Sequence, residues 1–243
     1  MTHQRPHLTR PTEESAIALM FDRISGRYDL LNRVLSARQD VRWRNHLISM
    51  VPYRPNGTYL DMATGTGDVI LSLAPKHPEY KTFVGGDISK GMLDHAARKA
   101  KALQASPATE WRLMSAEHIT LGDASVDCLS ISFGLRNVVN KERALEEFRR
   151  VLKPGGVLLI LEFFTPGKGP MSKLFQFYFH HILPIIGRLL SETEAYSYLP
   201  KSVASFYGPA ELREVLTSKN LVVERERNFL FGSCRLIKAI KTN

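Results

Sequence analysis

The sequence has little cysteine: Cys128 and Cys234 are the only two in 243 residues. Two thiols build neither a disulfide framework nor a thiolate cluster, and no metal site is expected. A reducing cytoplasm is the simplest compartment for such a chain. Long apolar runs are also missing. None reaches the roughly 18 to 20 residues that a helical membrane span needs. Met1 to Pro11 holds no apolar stretch of the kind a signal peptide requires. The first 60 residues lack lysine altogether, yet carry nine arginines against five acids. That basic excess is dispersed rather than blocked. It argues against a nucleic-acid surface, which wants clustered cations with exposed aromatics.

What is present has a globular balance. Hydrophobic residues make up 44% and charged residues 23%. That suffices for one domain with a full core at this length. The net charge of +9 is compatible with contact to an anionic membrane surface.

The most informative stretch is Thr58 to Asp68, TYLDMATGTGD. Thr58-Tyr59-Leu60 reads as a buried strand. Asp61 follows, then a turn through Ala63, Gly65 and Gly67. Val69, Ile70, Leu71, Leu73 and Ala74 then form an apolar helical face. A strand, a glycine-rich turn and a helix make a nucleotide-cofactor loop. Dinucleotide binding wants a third glycine, where Ile70 stands. Asp68 at the helix start would repel a pyrophosphate. The acidic-x-Gly-x-Gly-x-Gly loop of S-adenosylmethionine enzymes fits better, with Asp61, Gly65 and Gly67 in place, Thr66 between the glycines, and Ala63 at the first glycine position. Its sulfonium and amino groups suit an acidic loop. Asp87 ends the next strand, Lys81 to Gly86, 20 residues after Gly67. A carboxylate there can accept hydrogen bonds from both ribose hydroxyls.

In chain order, residues 1–14 read as a loose tail. Residues 15–52 read as a cap of two or three amphipathic helices. Ser89 can cap a helix through Leu103. Glu110 to Met114 is a third strand ending at Ser115, Ala116 and Glu117, where an adenine ring would lie. Val126 to Ser132 is a fourth, running into Phe133-Gly134-Leu135-Arg136-Asn137 at the sheet edge where open α/β folds bind ligands. Lys141 to Leu152 is a helix stopped by Lys153-Pro154-Gly155-Gly156. Val157 to Leu161 is a buried strand ending at Glu162. This alternation predicts a doubly wound, mostly parallel sheet of at least five strands. Met171 to Leu190 is apolar all round and interrupted by Pro184 and Gly187. It reads as a hydrophobic lid inserted over residues 168–200, lining a greasy pocket. Leu221 to Arg227 and Ser233 to Ile240 read as two closing antiparallel strands.

Four segments together resemble the menaquinone/ubiquinone biosynthesis C-methyltransferases. They are YDLLNRVLSARQDVRW from Tyr28, ISFGLRNV from Ile131, RVLKPGGVLLILEF from Arg150 and AYSYLPKSV from Ala195. The likeness covers nearly everything from Phe21 onward. Asp40 departs from the family's usual histidine, and Phe206-Tyr207-Gly208-Pro209 replaces a phenylalanine-proline-aspartate-glutamine segment. The resemblance implies a class I S-adenosylmethionine-dependent methyltransferase fold with seven strands in a single domain. It implies cofactor contacts at Thr66, Asp87, Ser115, Ala116 and Ser132.

The activity it implies is methylation of a ring carbon on a polyprenylated quinol. Demethylmenaquinol is the first expectation and the benzoquinol precursor of ubiquinone the alternative. An RNA methyltransferase is a more remote alternative. Arg136 is expected to stabilise a developing phenolate, with Asn137 and Tyr28 orienting the ring. The lid would hold the isoprenoid tail and touch the inner face of the membrane. A homodimer stays open.

Overall fold

The computed structural model describes residues 12–105, 108–165 and 195–243. Three helices come first: α1 (Glu13–Ile24), α2 (Tyr28–Leu35) and α3 (Gln39–Ile48). α1 starts earlier than expected, because the Thr12 side chain accepts the Ser15 N–H at 3.2 Å. Glu13 and Glu14 therefore belong to the cap and not to a tail; residues 1–11 lie outside the described residues. Of the two or three cap helices expected, three form. Ala37 and Arg38 adopt φ of 48° and 61°, which turns the chain between α2 and α3. Neither residue is glycine, so composition gave no warning.

The alternation follows: β1 (Gly57–Met62), α4 (Asp68–Leu73), β2 (Tyr80–Asp87), α5 (Lys90–Ala102), β3 (Thr109–Leu113), β4 (Val126–Ser132), α6 (Lys141–Val151) and β5 (Leu152–Phe163). α7 (Ala195–Ala204), α8 (Pro209–Ser218), β6 (Leu221–Phe229) and β7 (Cys234–Lys241) complete the described fold. The seven strands lie in the order β3-β2-β1-β4-β5-β7-β6. β1 to β5 are mutually parallel, and β7 runs antiparallel to both neighbours. β5 begins sooner than expected. Leu152 already pairs with Val126, and pairing resumes at Val157 with Cys128, so Lys153 to Gly156 form an irregularity within the strand.

The central strands are apolar on both faces because helices cover both. On one side Leu129, Leu158 and Ile160 meet Leu145 and Phe148 of α6 and Leu212 of α8. On the other Tyr59, Phe83 and Leu159 meet Trp43 and Leu47 of α3 and Ile70 of α4. Cys128 is a buried core residue as expected, and burial pushes its thiol pKa up. The interior of the expected lid, Met171 to Leu190, lies outside the described residues.

The cap is tied to the cofactor loop by charge. Asp68, at the first position of α4, accepts from Arg33 at 2.5 Å, Arg44 at 2.9 Å and Lys99 at 2.7 Å. Asp40 accepts from Arg33, and from Arg44 at 2.8 Å, while Asp29 accepts from Lys99 at 2.7 Å. Three cations and three carboxylates thus join α2, α3, α4 and α5. Burial raises the Asp68 pKa, but Arg44, Lys99 and Arg33 outweigh it and hold the carboxyl at about 2. With the folded pKa below the unfolded one, the clamp is complete above about pH 4. It is lost as pH falls through about 2. Removing this partly buried carboxylate strands a surplus cation. We expect Asp68→Ala to cost about 2 kcal/mol, seen as a melting temperature lowered by roughly 4–8 °C. An unchanged melting temperature would show that the clamp carries no stability.

Candidate functional site

The carboxyl ends of β1, β2 and β4 open into a concave pocket, the kind of place where open α/β sheets bind small molecules. α1 and α2 roof it with Glu14, Ile17, Phe21 and Tyr28. Of the residues proposed from sequence, Tyr28, Gly65, Asp87, Ser115, Ala116, Ser132 and Asn137 all line this one space. They come from segments more than 100 residues apart, and parallel topology brings them together.

Gly65 has φ of 56°, and a Cβ there would meet only Tyr28, at 3.7 Å. Its N–H donates to Asp87 Oδ2 at 2.8 Å, and Ser89 N–H donates to Asp87 Oδ1 at 2.9 Å. Burial pushes the Asp87 pKa up to about 6, against the pull of these N–H groups. Each Asp87 oxygen keeps a further lone pair for a ligand hydroxyl. Ser132 Oγ and Asn137 Oδ1 are buried without a partner. Buried polar atoms are ordinarily satisfied, so two orphans in one cavity wall fit a site shaped for a polar ligand. Ala63 takes the loop's first glycine position at φ of 50°, a left-handed conformation that alanine adopts only at a cost.

Four proposed residues do not line the cavity. Asp61 is 1% exposed and lies beneath the turn. It accepts from Thr64 Oγ1 at 2.7 Å and from Ser130 Oγ, which Tyr59 in turn contacts at 2.6 Å. It braces the loop from below. Thr66 Oγ1 donates to Asp29 at 2.5 Å and accepts from Lys99 at 3.1 Å, so it belongs to the clamp. Gly67 makes room for a side chain, not for a cofactor: a Cβ there would sit 2.6 Å from Trp111.

Arg136 does not line the cavity directly either. Its guanidinium donates to Glu162 Oε1 at 2.6 Å and to the Phe133 carbonyl at 2.5 Å, and its backbone N–H donates to Glu162 Oε2 at 3.2 Å. Much of its charge is committed to a carboxylate that is fully buried. Truncating Arg136 would strand Glu162, so activity lost in Arg136→Ala would mix folding with chemistry. The pair is still felt at the cavity. Burial raises the Tyr28 pKa, and a hydrogen bond with Asn32 and the charges of Arg44 and Arg136 only partly oppose this. Tyr28 therefore presents a protonated phenol, a hydrogen-bond donor.

Asp68 does not line the cavity either. Its charge turns toward the clamp and is absent from the cavity wall. The acidity that favours a cationic ligand comes instead from Asp87 and from Glu14, which sequence reasoning missed. Glu14 accepts from Ser115 Oγ across 101 residues of sequence, and no local pattern announces such a contact. No lysine, arginine or histidine among the described residues lines the cavity. That disfavours a pyrophosphate or a nucleic-acid backbone, and suits a sulfonium with an amino group. No group of three histidine, cysteine or acidic side chains among the described residues is placed to hold a metal.

The strand order and the site at the carboxyl edge are those of a class I S-adenosylmethionine-dependent methyltransferase. A methyltransferase of that kind from Aquifex aeolicus superposes with a TM-score of 0.60 at 19% identity, covering 82% of this chain and 89% of that one. Closer relatives define the branch. The ubiE/COQ5 methyltransferase family model matches residues 9–241, and the chain belongs to that family. It is 44% identical over 187 residues to the ubiquinone/menaquinone biosynthesis C-methyltransferase UbiE of Geotalea daltonii, covering 77% of this chain and 80% of that protein. It is 40% identical over 210 residues to the demethylmenaquinone methyltransferase of Thermus thermophilus, covering 85% and 93%.

The bracing role of Asp61 has a pH signature. Burial raises its pKa to about 7 despite the Ser130 and Thr64 hydrogen bonds. The folded protein therefore keeps a proton that the unfolded chain releases near pH 4. The resulting stability is complete below about pH 4 and lost as pH rises through 7; Asp87 adds the same trend up to about 6. Asp61→Asn should flatten the fall in stability between these limits by up to one proton, about 1.4 kcal/mol per pH unit. Denaturant melts across that range read the slope. An unchanged slope would place the titration elsewhere.

Proposed function

We propose that this protein transfers a methyl group from S-adenosylmethionine to a ring carbon of a polyprenylated quinol, with demethylmenaquinol as the substrate. The observation that carries the reading is the cavity wall. It joins residues suited to the cofactor, Gly65, Asp87, Ser115, Ala116 and Ser132, to residues suited to the substrate, Tyr28, Phe133 and Asn137, without a cation among the described residues of the wall. The names of the relatives support the quinol ring as acceptor.

The bound sulfonium would supply an electrophilic methyl carbon and a neutral leaving group. The chain's own residues then have three tasks. Asp87 accepts the ribose hydroxyls, and the Ser132 and Asn137 orphans gain partners, which fixes the methyl donor. Phe133, Val138 and Val139 make the opposite wall apolar and exclude water from the transfer. Tyr28 donates a hydrogen bond to a ring oxygen. The Arg136–Glu162 pair behind it biases the field in favour of a developing phenolate. The ring hydroxyl would lose its proton as the new carbon–carbon bond forms and the sulfonium–methyl bond breaks; the ring carbon's proton would then restore the phenol, so that one proton in net leaves through the cavity mouth. Only the reduced ring has the electron density for this attack.

The test uses methyl-labelled S-adenosylmethionine with short-tail demethylmenaquinone, chemically reduced in one reaction and oxidised in a parallel one. Label in the naphthoquinol ring, in the reduced reaction alone, is expected. Label in neither reaction, but in the benzoquinol precursor, would replace the substrate and keep the chemistry. Label in the oxidised reaction would overturn the mechanism.

A further inference from the structure

The turn between β6 and β7 is strained and apolar at once. Leu230, Phe231 and Gly232 occupy φ of 44°, 54° and 88° in succession. Three consecutive left-handed residues, two with large side chains, are costly. Strain of this kind persists where it serves a function. Here it projects Phe231 into solvent, 73% exposed, with Leu230 beside it at 39%.

The turn stands on the same edge of the sheet as the cavity. Cys234, the first residue of β7, pairs with Phe163, the last of β5. The Ser233 carbonyl accepts the Phe164 N–H at 2.8 Å. Other exposed apolar residues share this edge. Leu113 ends β3, and Leu19, Leu30 and Val34 stand on the cap helices that roof the cavity. Cations accompany them. Arg225 and Arg227 are exposed near the end of β6, with the Arg227 guanidinium 5.6 Å from the Phe229 ring. Arg23 and Arg38 are exposed on the cap. The nearby Glu226 is paired with Arg213 at 2.6 Å and Arg235 at 3.7 Å. Apolar tips among arginines, on a chain of net charge +9, match an anionic lipid surface.

We propose that the cavity edge of the sheet docks on an anionic lipid bilayer, with Leu230 and Phe231 as the inserted tip. This rests on the quinol reading for its purpose, since docking would present the cavity to a substrate dissolved in the membrane. It uses residues distinct from Met171–Leu190, on which sequence alone placed membrane contact.

The test is flotation of the full chain with phosphatidylcholine vesicles, with and without phosphatidylglycerol. Wild type should float with the phosphatidylglycerol vesicles and release as salt is raised. Leu230→Asn/Phe231→Asn keeps residues that tolerate the left-handed region and should lower vesicle affinity about tenfold or more. Arg227→Glu should lower it less and weaken its salt dependence. Methylation of a short-tail quinol in solution should be unchanged in both variants, which shows that they fold. Absent flotation, or flotation unaffected by the double substitution, would overturn the proposal. So would conversion of a dimer to a monomer by that substitution with flotation intact, which would assign the tip to a second copy. Tip-dependent flotation without any quinol methylation would keep the docking surface and remove the substrate reading.

Discussion

Asp68 carries one negative charge among three cations, and the working geometry depends on that imbalance being settled. Arg33 and Arg44 reach it from the cap, and Lys99 from α5. Asp40 and Asp29 supply the two further charges that make the cluster neutral. Helices α1 and α2 are short and would have little reason to lie over the sheet edge on propensity alone. The charge cluster sets where α2 lies, and that places Tyr28 over Gly65. A second anchor works the same way. Asp22 Oδ1 accepts from Ser89 Oγ at 2.5 Å and from Gly91 N–H at 2.8 Å, pinning α1 to the start of α5.

The loop beneath is held from below as well. Asp61, Thr64, Ser130 and Tyr59 form a buried hydrogen-bonded string that fixes the turn. The side chains most typical of a cofactor loop thus divide their labour. Asp61, Thr66, Gly67 and Asp68 build and fasten the turn, and Gly65 and Asp87 face the cavity. A spacing motif identifies the loop without saying which of its members touches the ligand.

The sheet, its parallel core and its ligand edge were legible because their signals are local: apolar runs, a glycine turn and an acidic strand end. The number of strands, seven, followed less directly, from the resemblance; the pairing of β7 with β5 was not foreseen. What could not be read were contacts between distant side chains. Arg136 looked free in the sequence because Glu162 lies 26 residues away, on a different strand. Glu14 looked like the end of a loose tail, because Ser115, its partner, is far along the chain. Asp40, a departure from the family's habit, looked neutral until its place between Arg33 and Arg44 was visible. The tip at Leu230 and Phe231 left no trace, since a left-handed phenylalanine has no sequence signature.

The central claim is that the cap and the loop close one cavity around the methyl donor. Amide hydrogen exchange with and without S-adenosylhomocysteine tests it most directly. The account predicts slowed exchange at residues 63–67, 87–89 and 115–117 and also through α1, which roofs the cavity with Glu14, Ile17 and Phe21. Protection of the loop and strand ends with α1 unaffected would contradict it. The cap would then be a layer over the sheet, and the cavity's roof would have no part in holding the ligand.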